Sequence, residues 1–327
     1  MDLYYLLEKK FIMNVVIVGQ GAIGLLWYVQ LHAFKKAQLS SNLPSQLSAL
    51  SLRPSNYTQS KNTPSALINF TDNQENFTEH HLLYATDNDI ASADILLMTV
   101  KSYQVKKALS ELQPLIQKEC SIILSHNGLG TLEELPVETM NHHSIYSLLT
   151  THGCLRTDSL SITHTGKGHC DLGLVSGNHH INESQQLTNL LHQAFPDVIW
   201  HKNIAEKQWL KLAINCVINP ITALNNIFNG EVNSPEYSSL IKGILVEVVA
   251  VSNSQGIFLD LTALMKTVAD VANATAKNQS SMLCDVQKKN KTEIDFINGY
   301  IHRIGEKMQI KTPLNTRLWQ EVNALTE

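Results

Sequence analysis

No stretch of this 327-residue chain approaches the run of roughly 18 apolar residues that a spanning helix needs. The best candidates, such as Ile95-Leu-Leu-Met98 with its flanks, are strand-sized. No C-x-x-C pair occurs among the five cysteines (Cys120, Cys154, Cys170, Cys216, Cys284), and their odd number at irregular spacing argues against a disulfide framework. A reducing cytoplasm is the compartment this usage suggests. Arginine is scarce, with only Arg53, Arg156, Arg303 and Arg317, and the net charge is −4. Nucleic acid and membrane surfaces are therefore not expected partners. Residues 1–12 lack the basic start, long apolar stretch and small-residue site of a signal peptide. They are read as an extension or a start-site artefact preceding Met13.

Hydrophobic residues at 43% and charged residues at 17% describe an ordinary folded protein. The length suggests two domains, each able to bury a core. Asn14-Val-Val-Ile-Val18 reads as a buried parallel strand. It runs into Gly19-Gln-Gly-Ala-Ile-Gly24, and Leu25 onward has helical spacing. Strand, G-x-G-x-x-G and helix together form the dinucleotide-binding fingerprint, which a structural glycine turn only imitates. Gly19, Gln20, Gly21, Ala22, Ile23 and Gly24 are thus candidate cofactor-binding residues. Strands are expected at Leu47–Leu52, Ile95–Val100, Ser121–Leu124 and Asp197–Trp200, alternating with helices such as Val105–Gln117 and Ser184–Ala194. A hairpin is expected over Ser161–Leu174. The fold class is α/β: a Rossmann-type dinucleotide-binding domain over 13–202, then an all-helical domain over 203–327. Its long helices are expected at Ala205–Asn225, Ser238–Ser254, Asp260–Ala276 and Asp295–Met308. Such a pairing leaves a cleft between domains, a preferred place for small ligands.

Between Glu8 and Asp72 the chain has no carboxylate side chain. NAD enzymes of this fold usually place an acid after the second strand to bind the ribose 2′-OH. Here Arg53 closes that strand, where a guanidinium grips a 2′-phosphate. NADP is therefore the expected cofactor. Lys101, after Ile95–Val100, reads either as a cofactor ligand or as a solvated lysine. Asn127 suits a ribose or a carbonyl, and Asn-Gly is equally a turn pair. Lys211, Asn215 and Asn219 recur every four residues and share one side of a helix that Pro220 is expected to kink. That stripe is a ligand site or a plain polar face. The 14 histidines show no zinc-type spacing, and no metal is expected.

Taken in order, Gly19–Gly24, Thr99–Lys101, His126–Glu134, Lys211–Pro220, Asn229–Glu231, Ser280–Leu283 and Thr292–Gly299 resemble the ketopantoate reductase family. The resemblance implies NADPH-dependent reduction of ketopantoate to pantoate in pantothenate biosynthesis. It implies Lys211 as proton donor and Glu293 as an active-site glutamate close to cofactor and substrate. Asn215, Asn219, Asn229 and Ser281 would hold the substrate, with Asn127 touching cofactor and substrate. Arg53, Lys101 and a backbone contact at Cys154 complete the implied cofactor site. Two other readings stand beside this one. A related NADP-dependent 2-keto or 3-hydroxy acid dehydrogenase usually has a His acid and an Arg for the carboxylate. A silent NADP-binding sensor needs neither Lys211 nor Glu293. The expected partner is a small 2-keto acid, with monomer and homodimer both open.

Overall fold

The computed structural model describes residues 12–41, 46–54, 65–177 and 181–326. The expected extension lies outside the described residues except for Ile12. By internal packing the chain divides into two units. The first takes the described residues up to Val100, with Gln104–His126 and Leu135–Ile204; the second takes Lys101–Tyr103, Asn127–Glu134 and Ala205 onward.

In the first unit, strand β1 (Met13–Val18) lies between β2 (Leu47–Arg53) and β5 (Ile95–Met98), parallel to both. Pairing on both sides leaves β1 no open edge, and its run of valine and isoleucine is buried without alternation, as in a parallel sheet covered on both faces. The sheet continues through β6 (Ser121–Leu124) and β7 (Ile145–Thr150), both parallel, to β10 (Cys170–Ser176) and β11 (Val198–Trp200). β10 runs antiparallel to β7. A second sheet has the order β4 (Phe77–Leu83), β3 (Ser65–Thr71), β9 (Ser161–Gly166) and β8 (Gly153–Asp158). The expected hairpin over Ser161–Leu174 is therefore corrected. β9 pairs with β8, one strand earlier, across a two-residue turn, whereas β10 joins the other sheet.

Helix α1 (Ala22–Ser40) has an unbroken buried run from Gly24 to Val29. A helix apolar on all sides needs cover on all sides. α1 packs on β1 and β2, on the second sheet, and on α5 (Ile181–Ala194), which follows α2 (Asp87–Ala91), α3 (Ser102–Leu112) and α4 (Val137–His142) along the chain. Trp27 meets Phe195 edge-on at 5.2 Å, and the Tyr28 hydroxyl accepts the backbone N–H of Leu83.

Two imidazole pairs lie in the same region. His32 Nδ1 of α1 stands 3.1 Å from His80 Nδ1 of β4, and His152 Nδ1 stands 3.1 Å from His164 Nε2, with Phe195 stacked on His152. Each N···N contact needs one N–H and one lone pair, so neither pair tolerates a proton on both facing nitrogens, as two imidazolium rings would require. Burial, then the neighbouring histidine, depresses His80 and His152 to about 4. Both pairs thus contribute stability that is complete above the unfolded histidine value of about 6.5 and is lost as pH falls towards 4. The melting temperature is expected to drop already between about pH 6.5 and 5, before most carboxylates titrate. A flat melting temperature over that interval would contradict the assignment.

The second unit is helical: α6 (Ala205–Asn225), α7 (Ser238–Ser254), α8 (Leu261–Ala274), α9 (Ser281–Gln287), α10 (Asn298–Lys307) and α11 (Pro313–Asn323). The helix expected from Asp295 starts instead at Asn298, after a 3-10 turn over Ile294–Phe296 and a residue, Ile297, whose ψ of −97° leaves the helical range. α6 is the hub, packing on α7, α8, α9 and α11. It runs on through Pro220, whose missing N–H leaves the Cys216 carbonyl without its helical donor. The buried Asn298 amide donates to that carbonyl at 3.0 Å. Asn298 is held in turn by Asn315, and Asn315 by Glu247, whose carboxylate accepts the Leu314 and Asn315 N–H groups at the start of α11.

Candidate active site

In the first unit the glycine turn has the geometry its spacing requires. Gly19 has φ +121°, and a Cβ there would lie 2.8 Å from Thr99 Oγ1. A Cβ on Gly24 would collide with the Gly19 carbonyl, so only glycine lets α1 start this close to the end of β1. At Gly21 no heavy atom lies within 4 Å of that position. The N-terminus of α1 has no side-chain cap and no acid in its first turn, which suits a phosphate anion. Ala22 and Ile23 open the helix. Arg53 ends β2, gives its carbonyl to Gly19 N, and sets Nη2 3.5 Å from Glu111 Oε2. Cys154 Sγ donates to the Ala22 carbonyl at 3.5 Å, and burial pushes this thiol up to about 12. Gln20 donates through Nε2 to the Ser159 carbonyl.

The second unit gathers the remaining candidates in two groups. On α6, Lys211 and Asn215 are half-buried and Asn219 is buried. Asn215 Nδ2 is enclosed without a hydrogen-bond partner. Asn229 opens a 3-10 turn packed on α6 and α8; its Nδ2 donates to Thr275 Oγ1 at 3.0 Å, while its buried Oδ1 is unpartnered. An enclosed amide without a partner costs roughly 1–3 kcal/mol, a cost that a polar ligand removes. Ser280 caps α9 by accepting Leu283 N and meets Thr222 Oγ1 of α6 at 2.7 Å. That hydroxyl pair pins the start of α9 to α6, and the exposed Ser281 is the first residue of α9.

The second group surrounds Glu293. Its Oε1 accepts Ser102 N at 3.0 Å and Asn127 N at 3.3 Å, and its Oε2 accepts Asn127 Nδ2 at 3.0 Å. Lys101 Nζ lies 3.8 Å from Oε2 and 2.6 Å from Asp285 Oδ2. Burial pulls the Lys101 ammonium down, but the Glu293 and Asp285 carboxylates outweigh it and hold it above the usual lysine value. Burial, with Glu293 beside it, raises the Asp285 carboxyl above the ordinary range despite Lys101. Gly128 has φ +84°, and a Cβ there would run into the Phe296 carbonyl, to which Leu129 N donates at 2.8 Å. The 127–130 segment is thereby docked on the turn that carries Glu293.

Asp285 and Thr222 carry no sequence signal. Asp285 pairs with a lysine 184 residues away, beyond any periodicity. No group of three or more metal-ligating side chains occurs among the described residues.

A glycine-fingerprint α/β unit joined to a helical unit bearing a lysine–amide stripe defines a two-part oxidoreductase. The chain belongs to the ketopantoate reductase family: the family model "Ketopantoate reductase PanE/ApbA" matches residues 15–177, and its C-terminal counterpart matches residues 203–326. It is 36% identical over 316 residues to the 2-dehydropantoate 2-reductase of Vibrio cholerae, covering 96% of this chain and 98% of that one. Among solved structures, a D-mandelate dehydrogenase with NADH and anilino(oxo)acetate superposes with a TM-score of 0.82 at 21% identity, over 96% of this chain and 98% of that one. A PanE/ApbA family ketopantoate reductase from Ralstonia eutropha gives 0.77 at 20% identity, over 96% and 98%. At those identities the two structures speak for the fold.

Proposed function

We propose that the protein reduces 2-dehydropantoate to pantoate with NADPH, in pantothenate and coenzyme A biosynthesis. The observation that carries this reading is the α6 stripe, with Lys211 followed at four-residue steps by Asn215 and Asn219 and with the Asn215 amide enclosed and unpartnered. NADPH, when bound, supplies the hydride that makes an alkoxide of the C2 carbonyl. Lys211 gives the proton from Nζ to that oxygen and regains one from solvent. Asn215, Asn219, Asn229 and Ser281 hold the carboxylate and hydroxyl groups of the substrate without adding charge beside Lys211. Asn127, fixed through its backbone and side chain by Glu293, orients cofactor and substrate together. Gly19 to Gly24 receive the dinucleotide phosphates, Cys154 offers a backbone contact, and Lys101 and Arg53 add positive charge. All these residues come from one chain, so monomer and homodimer serve equally. Five free cysteines fit a reducing cytoplasm.

A second reading, a reductase of another 2-keto acid, is favoured by the likeness to the mandelate enzyme's fold. Turnover of NADPH with a panel of 2-keto acids separates the two, and no turnover with any of them would leave a binding protein. Cofactor choice is tested at Arg53. The missing acid and this arginine favour NADPH over NADH. Arg53→Ala is expected to weaken NADPH roughly ten- to a hundredfold and leave NADH nearly untouched, as befits one charge-assisted contact. Equal loss of both cofactors, read by fluorescence titration, would make Arg53 structural; equal affinity of wild type for both would overturn the argument from the missing acid.

A further inference from the structure

The β8–β9 hairpin lies on the glycine turn through three contacts. Cys154 Sγ reaches the Ala22 carbonyl, Ser159 O accepts from Gln20 Nε2, and Arg156 Nη1 donates to the Gln20 carbonyl at 2.8 Å. Arg156 is exposed, yet the hydrogen bond to Gln20 parks its guanidinium one residue before Gly21, where the chain leaves open space. Arg53 and Arg317 face the carboxylates of Glu111 and Glu321, and Arg303 lies over the Phe296 ring. Among the described residues no carboxylate pairs with Arg156. One carbonyl dipole does not balance a full charge, and four N–H donors of the fork are left over.

We propose that Arg156 binds the cofactor's pyrophosphate, closing over it from the β8 side while α1 presents its uncapped N–H groups from the other. This rests on the reading of a dinucleotide cofactor. The pyrophosphate is the component this position fits. It carries the charge that the acid-free first turn of α1 lacks, and a planar fork meets phosphate oxygens two at a time. The 2′-phosphate is not the target, because Arg53 stands at the end of β2 for that group. The anchoring bond to Gln20 fixes the guanidinium before the ligand arrives, so little side-chain freedom is lost on binding.

The test is calorimetric titration of the full chain and of Arg156→Ala with four probes: NADPH, NADH, 2′-phospho-ADP-ribose and adenosine 2′-phosphate. The first three carry the pyrophosphate and the last does not. Each of those three is expected to bind the variant roughly ten- to a hundredfold more weakly, while adenosine 2′-phosphate is unchanged. Arg156→Lys should recover part of the loss, and the salt dependence of NADPH binding should become shallower in Arg156→Ala. Unchanged NADPH affinity overturns the proposal. So does a parallel loss of all four probes with a lowered melting temperature, which would make Arg156 a brace for the hairpin. Wild type that binds neither NADPH nor NADH would sink the cofactor reading itself, a result distinct from a variant that binds like wild type.

Discussion

Lys211→Ala is expected to lower kcat by roughly 10²-fold or more, the scale of a lost general acid, while NADPH affinity stays near wild type. The expectation follows from placement. Lys211 sits half-buried on α6, whose other faces are filled by Leu212, Ala213, Cys216 and Val217. The backbone of α6 is held by packing on four other helices and by the Asn298 bond to the carbonyl that Pro220 frees. Removing one side chain from so supported a helix should not displace the rest of the stripe. The variant's melting temperature should therefore remain close to wild type. Lys211→Arg separates proton from charge. A guanidinium remains protonated at any working pH, so it keeps the positive charge and cannot deliver the proton efficiently. Arginine at this position should bind substrate yet turn over nearly as poorly as alanine. Near-normal kcat in Lys211→Ala would rule the assignment out, and near-normal kcat in Lys211→Arg would reduce the role to electrostatics.

Why this lysine was legible from the sequence, and its partners less so, is a matter of range. Lys211, Asn215 and Asn219 recur with the period of one helix, and Ala205–Asn225 and Ser238–Ser254 were both readable to the residue from apolar spacing. The glycine turn was legible because strand, glycines and helix follow each other directly. β8 was not, since four of its six residues are exposed and no apolar alternation marks it. Without β8, β9 has no partner visible in the sequence, and the chain from Ser161 onward reads as a hairpin with β10. The family resemblance, not periodicity, pointed to Ser281 and Glu293. Asp285 lay hidden because its meaning comes from Lys101, which folding brings to it from the far side of the first unit's sequence.

Glu293 illustrates what that long-range assembly does, and its replacement carries the other large effect. Glu293→Ala removes the acceptor for two backbone N–H groups and the Asn127 amide, and takes away one of the two carboxylates at Lys101. Breaking a buried, hydrogen-bonded charge pair typically costs about 3–5 kcal/mol, so the alanine variant should unfold at markedly lower urea. Glu293→Gln is the more telling change. Its oxygen can still accept Ser102 N and Asn127 N in place of Oε1, but its amide nitrogen then stands where Oε2 faced the Asn127 amide and the Lys101 ammonium. Donor would meet donor. Asn127 escapes by turning its amide over, so that Oδ1 accepts and Nδ2 points where Oδ1 had been. The fold survives, but Asn127 then offers cofactor and substrate the wrong group. Such a loss of an aligned polar contact is expected to cut kcat/KM by roughly 10²-fold, with the backbone still in place. As a positioning residue, Glu293 should leave the pH dependence set by Lys211 where it is in wild type. A Gln variant that shifts the pH profile with little change in kcat/KM at its optimum would instead assign Glu293 a proton-transfer role.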